Sequence, residues 1–158
     1  MNRTDELKEA MKDSISEILE TMFFTPIEFA EDQSLDELIQ SPKEPVLSAR
    51  LIFRGPFGGN FSVFARGGLA KELAANLLGL ESEDLGREQM EATLKELLNM
   101  VAGKTFSLYD SQSVFHLGVP YMVENGELPS VAANSSESEI TVIVETVSDI
   151  LGFRLAIG

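Results

Sequence analysis

Two stretches of this chain carry the same apolar spacing. When the sequence is slid along itself by 79 residues, Glu17 falls on Glu96, and Met11, Ile15, Ile18, Leu19 and Met22 fall on Met90, Leu94, Leu97, Leu98 and Val101. Each set recurs at the three- and four-residue intervals of an amphipathic helix. The fold must therefore cover two long apolar helix faces, each about three turns in extent. The spacing predicts helices from about Asp5 to Phe24, stopped by Thr25-Pro26, and from about Arg87 to Leu108. Two related halves about a pseudo-twofold axis are one reading of the match, and two unrelated amphipathic helices that happen to slide into register are the other.

Between and after these helices the pattern changes to alternation. VLSARLIFRG and NFSVFARG flank GPFGG, the pattern of a β-hairpin with a glycine-rich turn. LAKELAANLLGL reads as a helix over Leu69–Leu80, closed at Gly79, whose alanines permit close packing on a sheet. Residues 28–45 are acidic and broken by Pro42 and Pro45. They read as a connection with a helical turn near Leu35–Ile39. Phe115–Val119 is a short strand candidate, 124–138 has turn composition, and ITVIVETV and GFRLAIG form a last strand pair around Ser148-Asp149. Strand pairs joined by short turns imply an antiparallel β-sheet with packed helices, an α+β fold in a single domain spanning 1–158.

Several function classes drop out. With no cysteine there is neither disulfide, thiolate nucleophile nor thiolate metal site. His116 is the sole histidine and reads as structural; a histidine metal cluster is impossible, and no GxSxG context supports a serine triad. RGPFGGN joins two strands and lacks the Gly-Lys-Ser/Thr ending of a phosphate loop. Gly67-Gly68 reads as close packing at a strand-to-helix turn more readily than as an anion site. A net charge of −14, from 26 acidic and 12 basic residues, argues against binding a phosphate backbone. The charged N-terminus resembles neither a signal nor a transit peptide, so the expected location is cytoplasmic. Met11, Met22 and Met90 are expected on core faces, and the acidic run Glu81–Asp84 in a solvated loop.

The remaining unusual stretch is KELLNMVAG, residues 95–103. Asparagine and glycine both weaken a helix interior, glycine by about 1 kcal/mol against alanine. At about 100° per residue, Glu96, Asn99, Ala92 and Gly103 share the face opposite the apolar stripe. Ala92 and Gly103 leave that face almost bare, so another protein's surface can approach the backbone. In the N-terminal counterpart Glu20 replaces Asn99 and the bulky Phe24 replaces Gly103, which leaves one such site per chain.

Glu96-x-x-Asn99, followed by Met100 and Gly103 and preceded by GGLAKELAANLLGL, resembles the CheC/CheX/FliY chemotaxis phosphatases, the CheX branch in particular. The likeness follows element order over nearly the whole chain and is sharpest from Gly67 to Gly103. Ala92 stands where the CheC branch has aspartate or serine, and Pro120 matches that branch's downstream proline only approximately. The resemblance implies a CheC-like fold of two pseudo-symmetric halves and a phosphatase for the aspartyl phosphate of a CheY-type response regulator. It assigns Glu96 to the receiver's lysine and Asn99 to orienting the attacking water, with Ala92, Met100 and Gly103 in the docking surface. Mg2+ would come with the receiver, none being bound by this chain, and the protein would be a homodimer joined through its sheets. A non-catalytic receiver-binding module of the same fold is the alternative.

Overall fold

The structure, a computed structural model, describes residues 2–40, 44–124 and 138–158. The turn-rich segment 125–137 lies outside them. In chain order the elements are α1 (Arg3–Met22), β1 (Glu28–Phe29), α2 (Leu35–Gln40), β2 (Val46–Arg54), β3 (Gly59–Arg66), α3 (Gly67–Leu78), α4 (Arg87–Tyr109), β4 (His116–Leu117), β5 (Tyr121–Val123), β6 (Ser138–Glu145) and β7 (Ile150–Ile157). The described strands form one seven-stranded antiparallel sheet in the order β1-β6-β7-β3-β2-β4, with β5 also on β2. This is the α+β fold expected.

The order carries the repeat. Each half supplies a long helix, short strand material and a hairpin: α1, β1 and β2–β3 in the first, α4, β4–β5 and β6–β7 in the second. Each half's short strand lies beside the other half's hairpin, and β3 meets β7 at the centre with Gly59 opposite Ile157 and Ala65 opposite Leu151. Exchanging the halves reproduces the sheet order, as a pseudo-twofold axis between β3 and β7 requires.

Alternation decides which side of the sheet each residue serves. Leu51, Phe61, Phe153 and Ile140 point to one face, where the main core joins them to Leu7, Ile15 and Leu19 of α1, Leu69 and Leu73 of α3, and Leu94, Leu97 and Leu98 of α4. Each such side chain contributes about 1.5–3 kcal/mol on full burial. The opposite face is covered in part by α2, whose Leu38 packs on Val46 and Phe64. Arg66 at the end of β3 ties this corner together, pairing with Asp149 in the β6–β7 turn and donating to the Leu38 carbonyl at 3.5 Å.

Several local expectations need correction. α1 starts at Arg3 because Asn2 caps it, accepting from the Asp5 amide at 2.9 Å. It ends at Met22, which is 44% exposed rather than in the core; the chain leaves helical geometry there and Phe23 takes the buried position. β5 was not visible in the sequence, since three residues after a proline carry no period and only pairing with Ser48–Arg50 makes them a strand. His116 is exposed on β4. At the glycine pair that starts α3, Glu44 packs close, its carboxylate accepting from the Gly68 amide at 3.2 Å.

Candidate functional site

α4 is fixed at its start by Gln89, whose side-chain oxygen accepts from the Gly86 amide at 2.9 Å, and by an Arg87–Glu91 pair at 2.7 Å. Its apolar stripe lies on the sheet, with α1 and α3 as further neighbours. Thr93, Leu94, Leu97, Leu98, Val101 and Ala102 are all buried. Burial on that side leaves the other to solvent. Ala92, Glu96 and Asn99 are exposed along one ridge, while Met100 and Gly103 are half-buried at its edge.

The two polar side chains are unoccupied: among the described residues neither Glu96 nor Asn99 makes a side-chain hydrogen bond or ion pair within the chain. Three positions apart on a helix, they are neighbours about 5–6 Å apart at Cβ. A carboxylate and a neutral carboxamide therefore stand side by side, free to meet groups from outside. Met100 leans against the core. Gly103 faces Leu117 of β4, and a Cβ there would lie 3.9 Å from Leu117 Cδ1, an ordinary contact.

Depressions border both ends of the ridge. One of about 500 Å3 is lined by Leu77, Leu78, Glu88, Ala92 and Glu96, and one of about 320 Å3 by Gly103, Phe106, Phe115 and Leu117. Helical spacing along α4 does not reveal these hollows, because it leaves out the neighbouring elements; the second leucine of LLGL, unneeded by an amphipathic α3, is the one local signal of the first. Behind Gly103, Phe106 stacks on Phe115 at 4.4 Å between ring centroids and 12° between planes, which stiffens that end.

The α1 counterpart is occupied by its own side chains. Glu17 pairs with Lys104 of α4 at 2.9 Å, Glu20 accepts from the Ser16 hydroxyl, and Phe24 projects 71% exposed where α4 has glycine. A cavity of about 590 Å3 lies elsewhere, beside β1, β6 and α2. Two of its cations are already paired, Lys12 with Glu31 at 2.9 Å and Arg154 with Glu139. Among the described residues no group of three or more acidic or histidine side chains converges to hold a metal ion, and no helix is long and apolar enough to cross a membrane.

Fold and ridge together define a class: an antiparallel α+β protein that presents a glutamate and an asparagine outward on one helix instead of enclosing them in a cleft. The model of the chemotaxis phosphatase CheX matches residues 47–145, and the chain belongs to that family. Solved structures agree in fold. A CheC-like superfamily protein from Shewanella sp. PV-4 is 22% identical with a TM-score of 0.77, over 100% of this chain and 99% of its own. A chain from the CheX–CheY–BeF3–Mg2+ complex of Borrelia burgdorferi is 22% identical, covers 94% of this chain and 96% of its own, and has a TM-score of 0.73. Chemotaxis protein CheX from Vibrio vulnificus is 19% identical over 100% and 99%, with a TM-score of 0.74. No curated protein matches the chain closely.

Proposed function

We propose that the protein dephosphorylates the aspartyl phosphate of a CheY-type receiver, with α4 as the inserted element. Asn99 enters the receiver's phosphorylated pocket and orients the attacking water, and Glu96 anchors the receiver's lysine. The observation that carries the reading is the unpartnered Glu96–Asn99 pair on an exposed ridge. Membership of the CheX family supports the reaction class, and the CheX–CheY complex from Borrelia burgdorferi supports the partner.

The residue types suit the chemistry. Phosphoryl transfer demands little covalent work of the protein, so placing water in line with the leaving oxygen supplies much of the acceleration. The amide oxygen of Asn99 accepts from that water while its uncharged state avoids repelling the phosphoryl oxygens. A carboxylate, as at Glu20 in the other helix, would repel them. Glu96 needs only to stay ionised; its attraction to a lysine strengthens where the interface excludes water. Mg2+ belongs to the receiver in this scheme, and the chain works as one domain, with dimerisation through the sheet as a further expectation.

Phosphate release from phosphorylated CheY-type receivers of the same genome tests the reading. Asn99→Ala should slow turnover about 100-fold or more. Glu96→Ala should weaken receiver binding by about 2 kcal/mol or more, since it leaves a lysine unpaired in the interface. Full activity in both variants would refute the assignment. Saturable binding with an unchanged phosphoryl lifetime would instead make the protein a binding module.

A further inference from the structure

Leu78 is 48% exposed at the end of α3, and Leu80, just past the helix-closing Gly79, is 49% exposed. A single exposed leucine is ordinary surface. Leu78, however, lines the hollow of about 500 Å3 between α3 and α4, together with Leu77, Glu88, Ala92 and Glu96. Ala92 and Glu96 belong to the catalytic ridge as well, so whatever docks on the ridge also covers the hollow.

The surrounding charge is one-sided. The charged residues that line the hollow, Glu88 and Glu96, are both acidic, and among the described residues neither is held in an ion pair. An apolar floor under an acidic rim complements an apolar side chain flanked by lysine or arginine.

We infer that the α3–α4 hollow is the specificity-determining seat of the receiver, accepting from it an apolar side chain beside a basic one. The site presupposes that Asn99 acts on a receiver. It adds the reason one receiver would be chosen over another: Asn99 and Glu96 meet features shared by receivers, whereas Leu78 and Glu88 meet the surface around them. These two are positioning residues for the partner, without contact to the reacting atoms.

The experiment measures affinity for the beryllofluoride-activated receiver with Mg2+, together with kcat and KM for the phosphorylated receiver, at low and high salt. Leu78→Asp should weaken binding and raise KM about tenfold, the scale of one interface anchor, with kcat within about twofold. Glu88→Lys, an exposed substitution that the fold tolerates, should raise KM severalfold at low salt and less at high salt. Circular dichroism verifies that both variants are folded. Unchanged affinity and KM in both would overturn the seat while leaving the phosphatase intact. Loss of kcat at constant KM would overturn it too. If Asn99→Ala kept wild-type turnover, or wild type bound no receiver, the phosphatase reading itself would fall and the seat with it.

Discussion

Gly103 separates what the fold needs from what the ridge needs. A Cβ there would make an ordinary 3.9 Å contact with Leu117 and nothing closer, so the fold does not require glycine. Gly103→Ala should raise stability by about 1 kcal/mol through helix propensity, measured by denaturant unfolding, yet raise KM for the receiver because the added methyl thickens the bare shoulder. Gly59 is the opposite case: a Cβ would lie 1.9 Å from the Ala156 carbonyl oxygen on the neighbouring central strand. Gly59→Ala should cost about 3 kcal/mol or more, seen as a lowered denaturation midpoint. Phe24 holds a left-handed backbone at φ 53° with its ring largely in solvent. Phe24→Gly should therefore gain up to about 1 kcal/mol by removing that strain. Glu96 and Asn99 were legible in sequence because a polar pair at helical spacing opposite an apolar stripe is local information. Their freedom from partners was not, since that depends on every neighbouring element.

Among the elements, the two long helices have diverged in what they expose. The Glu17–Lys104 pair sits in solvent, so Glu17→Ala should cost no more than about 1 kcal/mol and leave phosphatase turnover at the wild-type value; a large loss of turnover would give α1 a role that the account denies it. The end of α4 is set by Asp110, whose carboxyl is held below its ordinary value first by the Ser113 hydroxyl and then by the Gln112 amide. Because its folded value lies below the unfolded one, the stability it adds is present above the unfolded carboxylate value and is lost as pH falls through the folded one. Asp110→Asn should flatten the acid limb of a stability-against-pH curve. The long helices were readable because periodicity over twenty residues is redundant. β4 falls inside the strand candidate Phe115–Val119, whereas β1 and β5 have two and three residues, and at that length pairing with a longer strand, absent from any local pattern, decides the structure.

At the scale of the whole molecule, the repeat seen as matching helix faces returns as a sheet order unchanged by exchanging its halves. This arrangement buries the apolar faces of both long helices against one sheet and leaves the outer face of α4 for a partner. Only one half retains the neutral amide, so one working site per chain is expected. In the proposed mechanism this amide supplies turnover without supplying most of the affinity. The most direct test is the phosphoryl lifetime of a CheY-type receiver at saturating protein, wild type against Asn99→Ala. The variant should still bind the beryllofluoride-activated receiver while the lifetime returns to within a few-fold of the receiver alone. A lifetime as short with Asn99→Ala as with wild type would contradict it.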